Sequence, residues 1–329
     1  MIEHRLLVPA KKNIVKASES LLSGNLVAFP TETVYGLGAS ATNEKGINRI
    51  YKVKGRPNDH PLIVHVSSVS KLKLWAREIP EYALDLANKF WPGPMTLILK
   101  RTETAKDFIT GGQDTVGLRI PNNEIALGLL HQFEKIGGLG IAAPSANRFG
   151  KVSPTSAQHV ESDIGRYLSD SDLILDGGEC NIGIESTIID CTDFKPKVLR
   201  PGAISEAAIF LTNSEAAMFL TETEKSYAPK TSETKHSGQF ESHYSPNAIL
   251  NLDTIPNPGD GLIAIDEKPT PDGCIRLAAP KNSKEFAQQL YSALRRGDEL
   301  KLQRIVVFQP EDDEIGTAIR DRLRKAKTK

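Results

Sequence analysis

Between Thr31 and Gly38 the chain places two threonines, an acid, a tyrosine and two glycines in eight positions, Thr31-Glu32-Thr33-Val34-Tyr35-Gly36-Leu37-Gly38. Hydroxyl groups and permissive backbone of this kind hold a small polar ligand close to the main chain. A second dense stretch, Tyr51-Lys52-Val53-Lys54-Gly55-Arg56-Pro57-Asn58-Asp59-His60-Pro61-Leu62-Ile63-Val64-His65, sets three cations ahead of an apolar run. Arg119, Arg148, Lys151 and Arg200 each stand beside a predicted strand end, a glycine or a proline, where loops approach ligands. Each group alone has a plain structural reading. Lys52, Lys54 and Arg56 are then a solvated helix face; Ser145, Asn147, Ser153 and Thr155 are turn residues; His65 is a core histidine; Glu32 is a cap. Together they point to a hydroxyl-lined pocket facing an anion-binding wall, basic side chains for phosphates and loop donors for a small polar molecule.

The elements that must carry these residues alternate. The spacing predicts an amphipathic helix over 11–23, a buried strand Asn25–Phe29, and a helix starting at Thr42-Asn43-Glu44-Lys45. Strands are predicted at Leu62–Val66, Met95–Leu99 and Thr115–Ile120, with helices broken at Pro80 between the first two. A helix at Ile125–Phe133 precedes a small-residue strand and loop, Gly138–Asn147, and Ser156–Val160 opens another helix. Strands at Leu173–Leu175, Glu185–Asp190 and Val198–Gly202 end a first domain, taken as residues 1–210. From about Thr221 to Pro246 the chain is polar and short of aliphatics, a linker within 211–246. Strands at Gly261–Ile265, Cys274–Leu277 and Ile305–Phe308 then alternate with helices at Ser283–Arg296 and Glu314–Lys325. That alternation predicts a small parallel, Rossmann-like α/β domain over 247–329.

Composition narrows the function. In 329 residues, Lys+Arg and Asp+Glu both number 41, so no global charge drives binding to nucleic acid or membrane, and any anion site is local. Three scattered cysteines, Cys180, Cys191 and Cys274, with no CxxC and no secretory leader, predict a reduced cytoplasmic protein. No apolar run approaches the ~20 residues of a membrane span. Gly36-Leu37-Gly38-Ala39-Ser40-Ala41 fits the G-x-G-x-x-A pattern, but Thr31–Tyr35 separates strand from glycine, which a tight first βα turn does not allow. The similar run Gly138–Ala143 is followed by Pro144, which blocks a helix. No P-loop, HExxH or G-x-S-x-G signature occurs.

Six separated motifs carry a resemblance. Pro30–Leu37, Tyr51–Leu62, Trp91-Pro92-Gly93-Pro94-Met95-Thr96, Ala143-Pro144-Ser145-Ala146-Asn147, Ser153-Pro154-Thr155 and Ser186-Thr187-Ile188-Ile189-Asp190 occur in the order found in YrdC-type threonylcarbamoyl-AMP synthases. The chain resembles the longer, two-domain form of that family over roughly residues 10–210. The resemblance implies a large open, twisted α/β domain with a concave basic face. It implies synthesis of L-threonylcarbamoyl-AMP from L-threonine, bicarbonate or CO2, and ATP with Mg²⁺ on its phosphates, the product passing to a transferase that modifies tRNA. Carried over by motif, Thr33, His65, Arg119, Ala143 and Ser186 surround threonine. Arg56, His60, Thr115, Ser145, Ser153, Arg200 and Tyr244 contact ATP, while Lys52, Lys54, Arg148 and Lys151 complete the anion wall. No protein metal cage and no general base are assigned.

One departure stands out. Where the family pattern ends its linker Pro-Gly-Met-Lys-Tyr-Arg-His-Tyr-Ser-Pro, this chain reads Ser237-Gly238-Gln239-Phe240-Glu241-Ser242-His243-Tyr244-Ser245-Pro246, without the two cations. The segment is expected to fold over the site and bring Tyr244 toward the nucleotide. Two rival readings remain: a double-stranded RNA-binding module using the concave face, and a carbamoyl-transfer domain of the hydrogenase-maturation type. The latter sits in longer chains with zinc-finger and acylphosphatase segments, which this chain does not show.

Overall fold

The computed structural model describes residues 5–212, 234–236, 238 and 243–327. The first sheet has ten strands: β1 (Leu6–Leu7), β2 (Val27–Phe29), β3 (Gly36–Ser40), β4 (Ile63–His65), β5 (Met95–Lys100), β6 (Thr115–Arg119), β7 (Ile141–Ala142), β8 (Leu173–Leu175), β9 (Thr187–Asp190) and β10 (Lys197–Arg200). Their spatial order is β1-β8-β2-β3-β7-β4-β6-β5-β9-β10, with parallel and antiparallel pairs mixed. The second sheet, β11 (Ile249–Leu252), β12 (Gly261–Ile263), β13 (Ile275–Ala278) and β14 (Arg304–Val307), runs β11-β14-β12-β13 and is parallel throughout.

The helices named in chain order are α1 (Lys11–Leu22), α2 (Glu44–Lys54), α3 (Leu72–Trp75), α4 (Glu81–Phe90), α5 (Asp107–Thr110), α6 (Glu124–Lys135), α7 (Ala157–Ile164), α8 (Glu206–Phe210), α9 (Ser283–Glu299) and α10 (Gly316–Lys327). Local chemistry explains several boundaries. Asn43 caps α2 by accepting from Gly46 N at 2.9 Å, and the helix ends at Gly55 in the left-handed region. Asn123 and Asn282 cap α6 and α9 the same way. In β2, successive side chains alternate between faces, Val27 and Phe29 packing in one apolar cluster and Ala28 in the other. The first sheet is therefore buried on both sides.

The glycine run Gly36–Gly38 is not a loop but the start of β3, antiparallel to β2. Gly38 serves packing: a Cβ there would meet Ile141 Cγ2 at 2.7 Å and Phe29 Cε1 at 2.9 Å. Thr31–Tyr35 thus becomes the connection of a hairpin, held in place at both ends. Strands β1 and β11 and the short helices α5 and α8 were not anticipated. Each is short, and the pairing of β11 with β14 fixes its register rather than any local pattern. Most of the expected lid segment, residues 213–233, 237 and 239–242, lies outside the described residues. No helix among the described residues is long and apolar enough to cross a membrane.

The candidate active site

One cleft of about 650 Å³, open space included, lies on the face of the first sheet where β3, β7, β4 and β6 run side by side. Pairing sets its floor: His65 stands opposite Arg119 and Ile63 opposite Gly117, so Ile63, His65 and Arg119 share one face. The hairpin loop forms one wall and is locked by its own hydroxyls. Thr31 Oγ1 donates to Val34 O at 2.7 Å and takes the backbone N–H of Thr33 and Val34 at 3.1 and 3.2 Å. Its single proton being so used, Thr33 Oγ1 donates to Thr31 Oγ1 at 2.8 Å and itself accepts from Arg119 Nη2 at 2.9 Å.

Arg119 is buried with Glu32, whose Oε1 lies 2.9 Å from the same Nη2. The contact is an ion pair whose angle falls outside hydrogen-bond geometry, and both carboxylate oxygens lack a hydrogen-bond donor among the described residues. On the far wall, Ser186 Oγ meets Thr96 Oγ1 at 2.8 Å and accepts from Arg200 Nη2 at 3.1 Å. Lys54 is buried at the end of α2 and donates to Ser145 O and Asn147 O, both at 2.6 Å. Burial, then the neighbouring Arg56, pulls the Lys54 ammonium well below its usual range. Burial also lowers the Arg56 guanidinium to about 10, still a cation at neutral pH.

Two cleft histidines, His65 and His243, stay neutral. Burial first and Arg119 second hold His65 down to about 3, and burial does the same to His243. His65 Nδ1 has no hydrogen-bond partner among the described residues, which leaves a neutral ring able to engage a bound molecule. These shifts carry a stability consequence. The ordinary value is 6.5, and the folded values of His65, His159 and His243 lie at about 3, 4 and 3. Between those limits the unfolded chain binds more protons, so stability falls as pH drops below the ordinary value. The melting temperature is expected to decline steadily from pH 6.5 to about 4. A flat profile over that window would show that these rings are solvated.

All five residues assigned to threonine, Thr33, His65, Arg119, Ala143 and Ser186, line this cleft. Of those assigned to ATP, Arg56, Ser145, Arg200 and Tyr244 line it, whereas His60, Thr115 and Ser153 do not. His60 packs its ring against Phe149, 5.4 Å away, behind the lining. Thr115 shares a face with Arg119 but stands four residues along β6, about 13 Å away at strand rise. Ser153 is fully buried and spends its hydroxyl on Glu185.

The anion wall needs correction. Only Lys54 of its four members reaches the cleft. Lys52 is exposed on the outer face of α2, and Lys151 bonds Asn247 Oδ1 at 2.8 Å. Arg148 donates to the carbonyls of Lys52 and Val53 at the end of α2 and lies over the Tyr167 ring at 4.4 Å. A guanidinium that closes a helix C-terminus stabilises the fold rather than a ligand. Glu185, Phe149 and His243 also line the cleft and were not singled out as site residues. Position beside Ser186 was the signal for Glu185, and the retained His243-Tyr244-Ser245-Pro246 ending of the family pattern was the signal for His243.

Comparison with known proteins bears on this geometry. The Sua5/YciO/YrdC family model, described as Telomere recombination, matches residues 19–202. A second model, Threonylcarbamoyl-AMP synthase, C-terminal domain, matches residues 204–328. The threonylcarbamoyl-AMP synthase of Pyrococcus abyssi is 40% identical over 325 residues, covering 94% of this chain and 92% of that protein. That of Bacillus subtilis is 37% identical over 331 residues, covering 95% and 92%. The crystal structure of P. abyssi Sua5 complexed with L-threonine superposes with a TM-score of 0.85 at 38% identity, over 98% of this chain and 97% of that one. Both halves of the chain are accounted for, and it belongs to the two-domain branch of the Sua5/YciO/YrdC family, the threonylcarbamoyl-AMP synthases.

Proposed function

We infer that the chain makes L-threonylcarbamoyl-AMP from L-threonine, bicarbonate or CO2, and ATP, releasing pyrophosphate. The carrying observation is a single cleft with two kinds of wall: Arg119 among hydroxyls on one side, and Lys54, Arg56 and Arg200 on the other. A threonine carboxylate matches the Arg119 guanidinium. Thr33, Ser186 and the neutral His65 ring are polar partners for its hydroxyl and amine. A dry pocket favours the neutral amine, which attacks CO2; as the C–N bond forms, one C=O π pair moves onto oxygen and the nitrogen gives up a proton to solvent, leaving the carbamate. A carbamate oxygen then bonds to the α-phosphorus as the bond to the bridging oxygen of pyrophosphate breaks. Lys54, Arg56 and Arg200 bear the charge that develops on the leaving group. The protein supplies position and charge rather than a nucleophile.

ATP enters as its Mg²⁺ complex. Glu32 and Glu185, the carboxylates beside the cleft, are each engaged by arginine, and no cluster of three or more metal-ligating side chains stands among the described residues. Phosphates and water would supply most of the metal's ligands. The product passes to a transferase acting on adenosine in tRNA, a reaction of the cytoplasm, consistent with three free cysteines. Burial argues against the RNA-binding reading: Lys54, Arg56, Arg119 and Arg200 are 2–8% exposed, beyond the reach of a duplex backbone.

Pyrophosphate release from ATP should require threonine and bicarbonate together; release without either would refute the reaction. Thr33→Val and Ser186→Ala should weaken threonine more than ATP. L-Serine, lacking one methyl, should be about 10- to 200-fold poorer than threonine, the usual discrimination for one methyl. Equal turnover of serine would contradict a pocket fitted to threonine.

A further inference from the structure

The two domains meet around one carboxylate. Glu185 is the single acid among the described residues lining the cleft and directly precedes Ser186. Its Oε1 accepts from Ser153 Oγ at 2.5 Å; its Oε2 accepts from Tyr291 Oη at 2.9 Å and Arg322 Nε at 2.8 Å. Tyr291 belongs to α9 and Arg322 to α10, both from the second domain. Arg322 is fully buried, donates to Pro201 O at 3.0 Å, and holds its guanidinium carbon 5.3 Å from the Tyr244 ring centre. Tyr244 in turn stacks on Tyr291 with ring centres 5.9 Å apart. Burying an arginine and a carboxylate together costs desolvation on both, which apolar packing would avoid. Such a pair is placed here beside cations suited to a triphosphate.

We propose that Arg322 is a positioning residue for the nucleotide: it cancels and pins the Glu185 carboxylate, so that Lys54, Arg56 and Arg200 face the triphosphate unopposed. This gives the C-terminal domain a role in the chemistry, one that rests on the cleft being an ATP site. Burial pushes Glu185 toward its neutral acid, but Arg322 and Arg200 outweigh that and hold it at about 2, so it is an anion at every working pH. The other groups facing it are not expected to titrate near neutrality. Tyr291 and Tyr244 are raised by burial, and His243 is held down at about 3.

The test is calorimetry on the full-length protein with Mg²⁺-ATP and, separately, L-threonine, with melting curves to establish folding. In Arg322→Met the carboxylate loses its countercharge and keeps only the Ser153 and Tyr291 hydroxyls. For a charge separation of about 8 Å and an effective dielectric of about 20, its repulsion of one phosphate charge would weaken ATP about thirtyfold near pH 8. Threonine affinity should change less than about threefold, because Arg119 and Thr33 are untouched. Relative to the parent, the ATP loss should shrink as pH falls toward about 5, where an unpaired carboxyl takes a proton. Arg322→Lys, which keeps the charge, should hold ATP within about fivefold. Glu185→Gln combined with Arg322→Met removes both charges of the pair and leaves Asp321, 2.7 Å from Arg322 in the parent, to Lys325 at 3.1 Å; it should also stay within about fivefold and carries the test if the single variant does not fold. A folded Arg322→Met with parental ATP affinity, or a folded double variant that loses ATP as heavily at every pH, overturns the role. A parent that releases no pyrophosphate in response to threonine overturns instead the reading of the cleft.

Discussion

Arg119→Ala is expected to weaken L-threonine by about 10- to 150-fold, the 1.5–3 kcal/mol of a charge-assisted hydrogen bond, and to reduce threonine-dependent pyrophosphate release at least as much. The guanidinium is 5% exposed and reaches both Thr33 Oγ1 and Glu32 Oε1 from the end of β6. Removing it strips the hydroxyl chain of its terminal donor and leaves Glu32 buried without its countercharge. Loss of one member of a buried ion pair costs about 3–5 kcal/mol, so the melting temperature should drop as well. Arg119→Lys separates the two effects: a point charge keeps Glu32 paired but cannot present a planar fork to a carboxylate. That variant should melt near the parent yet still bind threonine poorly. Calorimetry with ATP supplies the contrast, since Lys54, Arg56 and Arg200 remain in place. A folded Arg119→Ala that binds threonine like the parent would remove Arg119 from the threonine site.

Tyr244 carries the second large effect. Its ring is 1% exposed, contacts His243 at a centroid distance of 4.1 Å and stacks on Tyr291. Its backbone sits at φ 63°, a left-handed conformation that a tyrosine adopts only when its surroundings hold it there. Truncation to Ala should cost about 3–5 kcal/mol of stability, as for other buried aromatics, and open the junction between the domains. Its hydroxyl has no hydrogen-bond partner among the described residues, although it borders a cleft lined by cations. Tyr244→Phe should therefore melt like the parent while losing ATP affinity and turnover, by about 3- to 10-fold for one neutral hydrogen bond. Tyr244→Ala should lose both stability and product. If Phe matches Tyr in ATP binding and turnover, the residue acts through packing alone.

The residues that contact the cleft follow a clear rule for what could be read from the chain by itself. Thr33, His65, Arg119, Ala143 and Ser186 were named through the family resemblance, and the structure brings all five to one cleft. The strands beside them, β2, β4, β6, β7 and β9, were legible in the chain itself: apolar runs bounded by proline, glycine or charge. The second domain's alternation of strand and helix likewise announced a parallel sheet. Local pattern does not say which way a long side chain turns. Lys52, Lys54, Arg148 and Lys151 looked equivalent as cations, yet only Lys54 points inward; helix phase puts Lys52 on the solvent side, and the carbonyls ending α2 capture Arg148. Gly36 and Gly38 looked alike, yet Gly36 lines the cleft, whereas β2 and β7 close around β3 and leave no room for a Cβ at Gly38. Glu185 and Arg322 lie 137 positions apart, and nothing near either foretells the other. Their pairing exists only because the second domain's helices pack against loops of the first, burying both charges in one place. Motif chemistry is local and survives in the sequence, whereas the partner of a buried charge is chosen by the packing of distant elements.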